Sequence, residues 1–182
     1  MPRPSSLVRS LVLLLPLVLA ACDPEPVAVT PIPVGGTSDA PREVNLIAKD
    51  YTFVPPVLDL VPGETVMLHI VNGGLDVHEV VIGDGAVQDA WEAAEAPLAG
   101  APPGPTPVVS VAPDLGGVRV VVPSGQRVDL LWQVPADVPT TLPLPSASAS
   151  PDPAAWTVEC HIAGHLAKGM WIPVRWVVDT PS

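Results

Sequence analysis

The sequence predicts an all-β fold, a sandwich or barrel of about seven or eight short strands with one short helix. Three observations carry this. Short segments alternate apolar and polar residues with a period of two, turn residues separate them, and only one stretch is dense in helix formers. Glu43–Lys49 (EVNLIAK) alternates as a half-buried strand does. Tyr51-Thr52-Phe53-Val54 followed by Pro55-Pro56 marks a bend, Val57–Val61 a short strand, and Pro62-Gly63-Glu64 a turn. Thr65–Asn72 (TVMLHIVN) is a further strand, broken by Gly73-Gly74, and His78–Ile82 is extended again. Asp89–Glu95 (DAWEAAE) is the helical stretch, with Asp89, Glu92 and Glu95 on one exposed face. Residues 97–117, full of Pro and Gly, read as a loop insertion. Val118–Val122 and Gln126–Gln133 flank Pro123-Ser124-Gly125, a hairpin signal. Residues 134–155 form a second insertion rich in Pro, Ser and Ala, and Trp156–Cys160 and Met170–Asp179 close the fold.

The N-terminus reads as an export leader. Arg3 and Arg9 precede an apolar run from Leu11 to Ala21, too short to span a bilayer comfortably. The run ends in Leu19-Ala20-Ala21-Cys22, which resembles the lipobox of bacterial lipoproteins. That resemblance implies that residues 1–21 are a signal peptide and that Cys22 is lipidated. Residues 22–42 are rich in Pro, Gly and small residues and read as a flexible tether, so the domain is expected to occupy 43–182. Loss of the leader removes two of the eight basic residues and none of the 19 acidic ones, moving the net charge from −11 to −13. Such a surface repels nucleic acid and anionic head groups. Most of the carboxylates are expected to be solvated surface.

Acylation of Cys22 would remove the one available disulfide partner of Cys160, and an odd cysteine in an exported chain calls for a reason. The stretch ECHIAGHLAKGM, from Glu159 to Met170, supplies one. A thiolate and an imidazole are strong ligands, and a thioether is a soft, weak one that suits copper better than zinc. Cys160 ends one strand, Met170 starts the next, and Gly164 and Gly169 ease the curl that brings Cys160, His165 and Met170 around one point. A second imidazole must come from another strand, and His78, after the loop that follows Asn72, is the candidate. Two imidazoles, one thiolate and a weak axial thioether make the blue-copper set.

At this point the chain resembles the cupredoxins, the single-domain blue copper proteins such as plastocyanin and azurin. The resemblance rests on Asn72…His78 and Cys160-x4-His165-x4-Met170, and covers roughly residues 43–179 without the two insertions. It implies a Greek-key β-sandwich that binds one copper ion through His78, Cys160, His165 and Met170 and shuttles single electrons between Cu(I) and Cu(II). It implies that electrons leave through His165, past Ile162, Ala163, Leu166 and Ala167. Val77 and Glu79 stand where the family often has Pro and Asn, which puts the bracing between the ligand loops in doubt. Glu79 is expected to place negative charge near the metal and lower the potential. Asn72, His161 and Trp171 are further candidates for residues that support the ligands, with Trp171 shielding the ion from water.

His161 also echoes the C-terminal motif of multicopper oxidases. That chemistry needs His-x-His pairs, the chain has none, and Glu159 precedes the cysteine, so no enzyme activity is expected. Strand alternation should turn His161 away from Cys160, leaving it as a surface or supporting residue. His69 reads as a strand-face histidine. The expected product is an exported, monomeric electron carrier, lipid-anchored to a bacterial membrane and facing the periplasm or the cell exterior. Its partners would be membrane or periplasmic redox proteins. The alternatives are a lipoprotein that stores or delivers copper, or a non-catalytic accessory subunit of a membrane redox complex. Storage and delivery sites tend to be rich in Met or His, and this chain is not.

Overall fold

In a computed structural model the described residues are 33–95, 104, 106–112, 117–140 and 152–178. The leader, Cys22, most of the tether and much of both insertions lie outside them. Ten strands run in chain order: β1 (Arg42–Lys49), β2 (Thr52–Val54), β3 (Leu58–Leu60), β4 (Thr65–Asn72), β5 (His78–Gly83), β6 (Val108–Ala112), β7 (Gly117–Val122), β8 (Arg127–Gln133), β9 (Thr157–Glu159) and β10 (Trp171–Trp176). Among the described residues one α-helix, α1 (Gly85–Glu95), follows β5. One sheet has the order β2-β1-β4-β8 and the other β3-β10-β9-β5-β7-β6, which makes a two-sheet β-sandwich with one short helix.

Alternation decides what each sheet buries. In β1 and β4, Val44, Leu46, Val66, Leu68 and Ile70 point inward, and in the facing sheet Val80, Ile82, Val118, Val120, Ile172 and Val174 meet them. Each such side chain, fully buried, stabilises the fold by about 1.5–3 kcal/mol. Cys160 and Met170 belong to the same apolar cluster. Trp156 and Trp176 pack edge to face at 5.3 Å, as core aromatics do.

Several expectations need correction. Val118–Val122 and Gln126–Gln133 are strands, but they do not pair as a hairpin: β7 lies in the six-stranded sheet and β8 in the four-stranded one. Their burial shows why. β7 is buried almost throughout, because the core lies beneath it and Val87 and Trp91 of α1 meet Gly117 and Arg119 on the other side, whereas β8 alternates and turns one face to solvent. Residues 97–117 are not all loop, since β6 lies within them and pairs antiparallel with β7 from Val108↔Val121 to Ala112↔Gly117. The helix starts earlier than its Ala- and Glu-rich stretch, because the Asp84 carboxylate accepts the Val87 N–H at 3.1 Å and caps it. Asp89 and Glu92 do lie on its exposed face. Glu64 is buried rather than solvated: Arg42 grips it through Nε at 2.7 Å, and the Val61 N–H donates to it at 2.8 Å.

Four connections gather at one end of the sandwich. They are the β1–β2 turn at 50–51, the β4–β5 loop at 73–77, the β7–β8 turn at 123–126 and the β9–β10 loop at 160–170. Ser124 Oγ donates to the Gly74 carbonyl at 2.7 Å, and the Gly125 N–H donates to the Asn72 carbonyl at 3.1 Å.

Candidate metal centre

The 160–170 loop curls as its glycines allow. Gly164 and Gly169 have φ of 85° and 89°, a left-handed backbone that side chains with a Cβ rarely adopt. Between them runs a single 3-10 turn, Leu166–Lys168. The loop closes on itself: the Met170 N–H donates to the His165 carbonyl and the Cys160 N–H to the Met170 carbonyl, both at 3.2 Å. Cys160 and Met170 are fully buried, and His165 is 6% exposed. Cys160 Sγ lies 3.4 Å from His165 Nδ1.

His78, at the start of β5, brings the second imidazole. One ligand atom each from His78, Cys160 and His165 lies within 4.8 Å of the others. The two imidazole rings stand 5.2 Å apart, tilted by 57°. His78 Nε2 meets Asp50 Oδ1 at 3.1 Å, while Nδ1 is buried with no hydrogen-bond partner. A buried polar atom left in this way is costly unless something else satisfies it. With the proton on Nε2, the Nδ1 lone pair is free to bind a metal. Burial, the largest cause, holds the His165 ring below its ordinary value and so favours the neutral imidazole that ligation requires. Two imidazoles and one thiolate around a point, with a buried thioether at the next strand, fit a type 1 copper ion.

Two supporting residues are clear. The Asn72 amide donates to the Asp76 and Val122 carbonyls, both at 2.8 Å, and accepts the Gly74 N–H at 2.9 Å. It therefore shapes the loop that leads to His78. The Glu79 N–H donates to Cys160 Sγ at 3.4 Å, and the Glu79 carboxylate accepts the His161 N–H at 3.3 Å. Glu79 thus ties the two ligand segments together. Its charge is not loose beside the metal, as the sequence had suggested, because Arg119 Nε pairs with it at 2.5 Å.

His161 turns away from Cys160, as alternation requires, but it is not a surface residue. Its side chain is 6% exposed, and Nε2 bonds Gln88 Oε1 on α1 at 2.7 Å. Glu159 is buried beside it, and desolvation raises its carboxyl above the usual range, partly offset by the 2.7 Å bond from Thr157. Trp171 is half-buried and alternates with the inward Ile172, which puts it on the outer face of its sheet. His69 lies on the outer face of the other sheet, bonded to Glu43 and, at 2.6 Å, to Asp129.

Asp50 and Tyr51 were not singled out in the sequence. Asp50 reaches His78, and the Tyr51 ring packs edge-on against His165 at 5.1 Å. The only available signal was a lone tyrosine, the chain's single one, in a turn between two strands.

No family model matches the sequence, and no curated protein matches it. Among solved structures, dithionite-reduced auracyanin from the photosynthetic bacterium Roseiflexus castenholzii matches with a TM-score of 0.50 at 15% identity, covering 79% of this chain and 100% of that one. Auracyanin B matches with a TM-score of 0.50 at 21% identity, covering 81% of this chain and 97% of that one. The fold is cupredoxin-like. A multicopper oxidase also matches, more weakly, at a TM-score of 0.43 over 40% of its own length. Within the cupredoxin-like sandwich, the ligand-bearing residues sit at the end where the four connections meet.

Proposed function

We propose that this chain binds one type 1 copper ion through His78, Cys160, His165 and Met170 and carries single electrons. The observation that carries the reading is the buried convergence of one thiolate and two imidazoles, within 4.8 Å of one another, at one end of a β-sandwich. When bound, copper supplies a one-electron couple. Cys160 offers the soft donor that Cu(I) favours and the imidazoles the donors that Cu(II) favours, so one set suits both states. The core around Cys160 and Met170 and the hydrogen bonds from Glu79 and Asn72 hold the donors in place, which keeps reorganisation small. Burial of all four residues shuts the ion off from a substrate and suits a carrier better than an enzyme. The surface-side ligand is His165, so exchange with a partner is assigned to the face formed by the 160–170 loop.

The lipobox-like Leu19-Ala20-Ala21-Cys22 and the Pro-rich stretch after it support a lipid-anchored, exported carrier confined near membrane redox proteins. Confinement raises the effective concentration of such partners. Mass spectrometry of the chain expressed in a bacterial host tests the anchor: acyl mass on Cys22 is expected, and an unmodified Cys22 contradicts it. Voltammetry of the copper-loaded domain tests carriage. A reversible one-electron wave, with copper retained over repeated cycles, is the expected result. A protein that surrenders its copper on reduction is a copper-delivery protein instead.

A further inference from the structure

The β1–β2 turn touches both imidazoles. Lys49 pairs with Thr52, so Asp50 and Tyr51 alone form the turn. Asp50 Oδ1 meets His78 Nε2 at 3.1 Å and also accepts the Leu75 N–H at 2.9 Å and the Asp76 N–H at 3.2 Å. Tyr51 has φ of 66°, a left-handed backbone at a bulky residue, which persists only where its surroundings impose it. They do so from three sides: the ring meets His165 edge-on at 5.1 Å, Lys168 Nζ sits 3.6 Å from the ring centroid, and the hydroxyl donates to Asp76 at 3.1 Å. Gly74 completes the arrangement. A Cβ there would collide with both Asp50 Oδ1 and His78 Nε2, so only glycine lets the carboxylate reach the ring.

We propose that the Asp50-Tyr51 turn is a brace acting on both histidine ligands at once, in which Asp50 is a positioning residue that sets the His78 tautomer and lowers the reduction potential. The inference rests on the copper reading above. A carboxylate on the imidazole N–H fixes Nδ1 as the donor atom and raises its basicity. Extra donation favours the more highly charged Cu(II) over Cu(I), so the couple moves down. Tyr51 holds the His165 ring from the other side and keeps water from it.

Asp50 is tested first without copper. Ring 15N shifts in the metal-free wild-type protein should show His78 as the Nε2–H tautomer, and Asp50→Ala should show a mixture. In the loaded protein, Asp50→Asn should weaken Cu(II) binding about tenfold with Cu(I) binding unmoved. A tenfold change of that kind raises the potential by about 59 mV. Gly74→Ala displaces the carboxylate without removing its charge and should shift the potential the same way. Tyr51→Phe should keep copper against a chelator as wild type does, and Tyr51→Ala should lose it about tenfold faster. An Nδ1–H tautomer in wild type, or an Asp50→Asn protein with an intact blue band and an unmoved potential, overturns the role of Asp50. Equal copper loss from wild type and Tyr51→Ala overturns that of Tyr51. A wild type that never turns blue sinks the copper reading instead, and the tautomer then decides alone whether Asp50 orients His78.

Discussion

Cys160, His165 and Met170 arrive on one loop of eleven residues, whereas His78 and its supports come from strands and a turn far away in the chain. The two halves of the centre are held differently. The 160–170 loop organises itself, through two left-handed glycines, a 3-10 turn and backbone bonds that run from ligand to ligand. The His78 half is held from outside, by Asn72 on its loop, Asp50 on its ring and the Glu79–Arg119 pair on its strand. A ligand loop can be local, but the position opposite it is a product of the whole sandwich.

The centre is most completely lost at the thiolate. Cys160→Ser removes the soft donor, and the thiolate-to-copper band in the visible spectrum should vanish entirely. On the other half, effects should be graded and structural. Glu79→Gln leaves the Arg119 charge without its carboxylate in a mostly buried place and should cost about 3 kcal/mol or more, read as a lower denaturant midpoint. Adding Arg119→Met should recover much of that loss, because removing both charges is far milder than removing one. Asn72→Ala deletes the amide bonds to two carbonyls and should cost about 2 kcal/mol in the same measurement. If Asn72→Ala proves neutral, the His78 loop is not held in the way described.

Legibility follows the same division. Alternation exposed β1 and β4, because one face of each meets the core and the other is wetter. Ligand chemistry exposed the 160–170 loop, because three donors sit close together in the chain. β6 was hidden by the Pro- and Gly-rich composition around it. Pro123-Ser124-Gly125 signals a hairpin, but a turn does not say whether the chain stays in its sheet, and here it changes sheets. Nothing in the sequence marked Glu79 as a tie between the two ligand segments. Its partner Arg119 is on another strand, so the pairing that offsets its charge had no signal. The contacts of Asp50 and Tyr51 are wholly tertiary.

The smallest expected effect lies away from the centre and checks that the outer sheet behaves as ordinary surface. Hydrogen bonds to Asp129 first, and then Glu43, raise the His69 pKa above its usual value. Stability from this cluster is therefore fully present below the unfolded value of about 6.5 and is lost as pH rises through the higher folded value. His69→Asn should flatten that fall in unfolding midpoints measured from about pH 5 to pH 9, with the blue band untouched. A change in the band would mean that the two faces of β4 communicate.

The central claim is most directly tested by titrating the purified soluble domain with Cu(II) while recording visible absorption and EPR. One equivalent should produce an intense thiolate-to-copper band and a single bound-Cu(II) EPR signal; in Cys160→Ser the band should be absent and the EPR signal altered to that of Cu(II) without a thiolate ligand. A protein that stays colourless at saturating Cu(II), or that binds no copper, would contradict the account.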